Sequence, residues 1–141
     1  MFILKLDASG NFAWAKKLDG LNFISCFSLI ADGTLNVYIS GYFTIVCNFD
    51  PGVSNFTLNG AGSNFISKFD QAGNFAWAVP IAGSIFSSTV DASKNVITTG
   101  SFSGTRDFDQ TAATFNLTSF GVKDVFIHKN EFGLPCLRCT N

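Results

Sequence analysis

"FISKFDQAGNFAWA", residues 65–78, repeats "FILKLDASGNFAWA", residues 2–15, at an offset of 63 with 10 of 14 positions identical. Self-similarity at that level makes a repeat architecture the first question to settle. A second block carries the repeat further: "FSLIADGTLNVYISGYF" (27–43) returns as "FSSTVDASKNVITTGSF" (86–102) at an offset of 59. Phe27/Phe86, Asp32/Asp91, Asn36/Asn95, Val37/Val96, Gly41/Gly100 and Phe43/Phe102 match. The offset changes where "LNFISCF" shortens to "SIF", as a loop deletion would make it do. A third copy begins at Phe126 and decays, so the chain holds a little over two units of roughly 60 residues.

Within each unit a shorter pattern recurs: Asp, three residues, Asn, then an alternating apolar run. It occurs at Asp7–Asn11, Asp32–Asn36, Asp70–Asn74 and Asp91–Asn95, with "NEFG" at 130–133 as a degraded fifth. An Asp that opens a turn can accept from backbone N–H groups two residues on, and Gly before the Asn supplies a left-handed position, so each instance reads as a hairpin tip. Gly10 and Gly73 fill that position in two tips, whereas Leu35 and Lys94 fill it in the others. A side chain in left-handed backbone costs on the order of 1 kcal/mol, which predicts a different turn type for those two.

Between the tips the chain alternates as strands do. Val37, Ile39 and Phe43 make one apolar face, as do Phe65 and Phe69, and no stretch shows a helical period of useful length. The fold class is therefore all-β, with four-stranded antiparallel blades stacked radially as in an incomplete β-propeller of about two to two and a half blades. Residues 1–23 form a partial blade, its outer hairpin; 24–79 a full blade with an excursion at 44–60; 84–133 a second blade with an excursion at 103–119; and 134–141 a degenerate tail. The inner strands, about 25–31 and 85–90, carry Ser28, Ser87, Ser88 and Thr89, which suit a narrow wet channel. Four blades is the usual minimum for a closed ring, so the chain reads as a fragment or an assembling piece.

Composition narrows the function. Net charge is −1 and charged residues make up 13%, while Phe contributes 17 residues and Gly 13. That balance lacks the basic footprint of a nucleic-acid binder, and so little polar surface suggests packing against something else. No stretch has the roughly 20 apolar residues of a membrane span, and the residues after Met1 lack an export signal's charged and apolar regions.

"DASGNFAWAK", "NVYISGYF", "NFDPG" and "GAGSNFISKFDQAGNFAWA" resemble the bacterial SBBP-type β-propeller repeat, in the long form common in secreted multi-repeat proteins of the Bacteroidetes. The resemblance extends to about Gly133. It implies a β-propeller in an extracellular or cell-surface setting, often beside adhesion-like modules, and no common activity. Departures are Cys47, Leu35, Lys94 and the tail "LPCLRCTN".

Candidate sites are few, and each has a structural explanation beside the chemical one. Asn48 and Asp50, and in the next unit Asp107 and Asp109, place alternating oxygen side chains on a loop and are weak Ca²⁺ candidates. Capping of the excursion's own turns is the simpler expectation, since neither copy carries the full carboxylate set of a calcium loop. Cys136 and Cys139 form a lone CxxC in the decayed tail, without a second pair or a nearby His to make a zinc site. Four cysteines, Cys26 and Cys47 included, allow three pairings, none selected by spacing. His128 replaces Ser67 on a strand and reads as a satisfied strand histidine, with no partners in place for a triad. Asn55-Phe56-Thr57 and Asn116-Leu117-Thr118 fit a glycosylation sequon without aligning between units.

The recurring Phe pairs, Phe12/Phe75, Phe27/Phe86, Phe43/Phe102, Phe49/Phe108 and Phe56/Phe115, read as a repeated core. Tyr38 and Tyr42 do not recur, which keeps them as binding candidates. Gly10, Asn11, Trp14, Gly73, Asn74 and Trp77 are assigned structural roles, with Phe12/Trp14 and Phe75/Trp77 expected on one face and the alanines on the other. No catalytic residue and no cofactor follow. The function expected is a non-catalytic interaction module that docks neighbouring blades and presents loops to protein or glycan, with no nucleic-acid partner. The alternatives are part of a propeller enzyme, for example carbohydrate-active, completed by missing blades, or a fragment without independent function.

Overall fold

A computed structural model describes residues 1–21, 23–52, 54–109 and 113–131, and every regular element among them is a strand. The chain is all-β, built of antiparallel propeller blades. β1 (Phe2–Leu6) and β2 (Phe12–Lys17) form a hairpin, followed by the short β3 (Asp19–Leu21). β4 (Ile24–Ala31), β5 (Val37–Asn48), β6 (Thr57–Phe69) and β7 (Phe75–Ile81) form a four-stranded sheet in that order. β8 (Ser84–Val90), β9 (Val96–Phe102) and β12 (Asp124–Asn130) repeat its first three strands. Between them β10 (Thr105–Asp107) pairs with β11 (Asn116–Thr118). The expected tail, 134–141, and the degraded fifth tip beyond Glu131 lie outside the described residues.

β5 and β6 run on past the blade into the excursion, where Val46–Asn48 pairs with Thr57–Asn59 on one side and with β3 on the other. The excursion of the middle blade is thus a prolonged hairpin, while in the next unit it becomes the separate β10–β11 ladder. Both return a phenylalanine to the blade. Phe49 packs against Phe43 and Phe65 with ring centroids 5.7 and 4.7 Å apart. Phe108 meets Phe102 and Phe126, each at 5.1 Å. Tilted and edge-on pairs of this kind bury large apolar area in favourable quadrupole geometry, and the same triad occurs in both units.

One core lies between the β1–β2 hairpin and the near face of the middle blade, joining Ile3 and Leu18 to Val37, Ile39, Phe43, Phe65 and Phe69. A second lies between the far face and the next blade, joining Tyr38, Ile66, Val79 and Ile81 to Ile85, Val96, Phe102 and Phe126. β5, β6 and β7 of the middle blade therefore send buried side chains into both cores, as radial stacking requires, whereas the inner strand β4 stays half-buried to exposed. The inner strands bulge at Phe27 and Phe86, where Cys26 pairs with Gly41 but Ser28 pairs with Ser40, and Ile85 with Gly100 but Ser87 with Thr99. At Gly41 and Gly100 the carbonyls of Ser25 and Ser84 and the rings of Phe65 and Phe126 fill the space of a side chain, which excludes anything but glycine. Those bulges also correct the core assignment: Phe27 and Phe86 recur, yet are 51% and 62% exposed. Ser88 Oγ donates to Ser40 Oγ at 3.1 Å across the two blades.

Candidate functional site

The up-and-down course of the strands puts all four Asp–Asn tips at one end of the blades, and the excursions with the links between blades at the other. Gly33, Asn36, Asp70 and Lys94 line one shallow depression among the tips. The tips share one geometry. The N–H of each Asp donates to the carbonyl of its Asn, and the residue before the Asn donates back to the Asp carbonyl, all at 2.8–3.0 Å. Oδ1 of each Asp accepts from two backbone N–H groups and Oδ2 from the Asn amide. At Asp7 and Asp70 the Asn N–H bond is the largest of the causes that hold the carboxyl below its ordinary value.

The expected difference in turn type at Leu35 and Lys94 is not found. Their φ angles are 62° and 67°, against 83° at Gly10 and 80° at Gly73, so all four tips use the same left-handed residue. The Asp–Asn network outweighs a strain of about 1 kcal/mol.

The face assignment of the hexapeptide is also corrected. Lys5 pairs with Trp14 but Leu6 with Phe12, and Lys68 with Trp77 but Phe69 with Phe75, so a bulge at Ala13 and Ala76 breaks the alternation. Phe75 turns back toward the preceding hairpin, meeting Phe56 at 4.9 Å, whereas Trp77 turns forward onto Tyr38 at 6.2 Å. Trp14 faces forward in the same sense, and its Nε1 donates to the Gln71 carbonyl at 3.0 Å, where Lys5 Nζ also donates at 2.9 Å.

The oxygen side chains considered for Ca²⁺ hold their own loops. Asn48 Oδ1 accepts from the N–H of Asp50 and of Phe56 at 3.0 and 3.1 Å, and Asp50 Oδ1 from Gly52 at 2.8 Å. Asp107 Oδ1 accepts from Asp109 and Phe115 at 3.0 and 2.9 Å. Among the described residues no group of three or more His, Cys, Asp or Glu could hold a metal ion. Cys136 and Cys139 fall outside the described residues; Cys26 and Cys47 are free thiols, and burial pushes Cys47 up to about 11. His128 stands edge-on to Phe108 at 6.0 Å; burial lowers its pKa against the opposing pull of Asp109. Asn55 Oδ1 accepts from Asn48 Nδ2, and Asn116 lies exposed in β11.

Tyr38 is removed from the binding candidates. It is 1% exposed, donates to Asp32 Oδ2 at 3.2 Å, and burial raises its pKa to about 12. Tyr42 instead lines a cleft of about 560 Å³ between the middle blade and the next, on the excursion rim. Ser63, Ser84, Ser101 and Ser103 supply hydroxyls to it, and Arg106 and Lys123 supply two cations. The cleft floor is fixed by Asn64, whose amide donates to the Gly83 carbonyl at 2.7 Å. Sequence reasoning missed both cations. The signal was available as register breaks, since Arg106 stands where the preceding unit has Cys47 and Lys123 where it has Gly62.

No family model and no solved structure matches the chain. It is 30% identical over 132 residues to an uncharacterized WD repeat-containing protein of Acanthamoeba polyphaga mimivirus, a match that takes in 79% of this chain and 9% of that protein. The chain thus spans about a tenth of the relative's length. The similarity supports a β-propeller-like repeat, and neither the SBBP type nor a bacterial source enters into it.

Proposed function

We propose that the chain is a non-catalytic repeat module that docks further blades on its two end faces and presents its excursion rim to a protein or glycan. Repeat equivalence at the end faces carries the proposal. Phe65, Phe69 and Phe75 pack against the preceding hairpin, whereas their equivalents Phe2, Leu6 and Phe12 are 74%, 50% and 68% exposed. At the other end Ile66 is 1% exposed and its equivalent Ile127 is 81% exposed. Apolar surface in a position that the same fold buries one unit along calls for a blade to cover it. A secreted or cell-surface setting belongs to the same proposal and draws on the SBBP-type resemblance.

Mixing separates head-to-tail docking from indiscriminate stickiness. Phe12→Asp keeps the far face and Ile127→Asp keeps the near one, so each variant alone should sediment as a monomer and the mixture as a heterodimer. Wild-type chain should associate with rising concentration. Monomeric wild type at all concentrations, or variants that self-associate as well as the wild type, would count against the proposal.

A further inference from the structure

The geometry points to the cleft between the middle blade and the next as a binding site for an acidic sugar, a pyranose ring bearing a carboxylate or sulfate. This rests on the interaction-module proposal for where ligands meet the rim, but the cleft is complete within the chain and needs no docked blade. Its volume of about 560 Å³ lies within the roughly 300–1,000 Å³ of small-molecule sites. Chemically it combines three things. Arg106 and Lys123 form no ion pair among the described residues. Nor do neighbouring carboxylates reach for them: Asp107 Oδ1 is occupied by the N–H groups of Asp109 and Phe115, and Asp124 Oδ2 by that of Phe120. Among the described residues that line the cleft the charged ones are Arg106 and Lys123 and none is acidic, which favours an anionic ligand.

Hydroxyls make up the second component. Ser84, Ser101 and Ser103 have no side-chain hydrogen bond among the described residues, which leaves donors and acceptors facing the cleft. Tyr42 completes the set with an amphipathic ring on the wall, suited to the apolar face of a sugar. Two isolated cations match a sparsely charged ligand better than a polyphosphate, and hydroxyls on several strands match a polyhydroxylated one. The fold does not account for these residues: the preceding unit builds the same blade with Cys47 and Gly62 in place of the two cations. Register-breaking polar residues converging on one rim are what a ligand site, as opposed to a packing position, produces.

Titration of the isotope-labelled chain with glucuronate, glucose and inorganic sulfate, followed by amide shifts, tests the assignment. Glucuronate should produce saturable shifts at Tyr42, Ser84 and Ser101, with glucose at least about tenfold weaker and sulfate leaving Tyr42 unmoved. Arg106→Gln and Lys123→Gln should each weaken glucuronate about tenfold while leaving the melting temperature and end-face association unchanged. Lys123→Arg should retain binding. Equal affinity for glucose, full affinity in both Gln variants, or no saturable shift with glucuronate would overturn the acidic-sugar site. Sulfate binding as tightly as glucuronate would do the same, leaving an anion site only. None of these results bears on head-to-tail docking, so the two proposals fail separately.

Discussion

Gly10 and Gly73 occupy the same turn in left-handed backbone, yet their surroundings differ. Nothing lies near Gly10, whereas a side chain at Gly73 would meet Trp14 Cδ2 at 2.8 Å. Gly10→Ala should therefore cost only the backbone strain, about 1–2 kcal/mol, and Gly73→Ala about 1–3 kcal/mol more from overpacking, read as the difference between two urea melts. The reverse substitution, Lys94→Gly, should stabilise by up to about 1 kcal/mol because φ there is already 67°. Acid acts on the same tips. Asp70 has a folded pKa below its ordinary 3.8, so its contribution is present above that value and lost as pH falls through the lower folded one. The thermal midpoint should drop on acidification below about pH 4, and Asp70→Asn should flatten that dependence. Asp and Asn announced these tips in the sequence. What residue propensity could not show is that one carboxylate, accepting from three donors at Asp91 and five at Asp32, forces Leu35 and Lys94 into a conformation each disfavours by itself.

Among the elements, β5 and β6 are longer than the blade requires, and their surplus carries Phe49 back onto Phe43 and Phe65. Phe49→Ala should destabilise by about 3–5 kcal/mol, measured by chemical denaturation, although it lies in an excursion rather than in the sheet. The Phe49/Phe108 recurrence made that core membership readable from the sequence. The bulges were not readable. A single extra residue at Ala13 or Ala76 leaves the apolar pattern intact while exchanging the faces of everything beyond it, so counting by twos sent Phe75 and Trp77 to one side when the ladder sends them to opposite sides. Recurrence misled at Phe27 and Phe86 for a related reason: a repeated bulge repeats an exposed residue as faithfully as a buried one.

For the whole molecule, the period of the sequence was enough to give blades and their order, because each unit must bury two faces against neighbours. The cleft escaped notice since its parts come from β5, β6, β8, β9, β10 and the links between strands, distant in sequence and brought together by stacking. Its dependence on stacking leads to one more expectation: at equal concentration, glucuronate should raise the melting temperature of the wild-type chain more than that of Arg106→Gln, in a thermal-shift measurement. The opposition between the two rims has a consequence for how such a chain changes over time. At the tips, both carboxylate oxygens of each Asp hold the turn together, so replacing the Asp removes several of the turn's bonds at once. At the other rim the middle unit has one continuous hairpin where the next has a separate two-stranded ladder, and both are accommodated. Each duplication of a unit thus hands on an Asp–Asn frame at one rim and a half that is at liberty to diverge at the other, which lets new recognition arise without redesign of the scaffold.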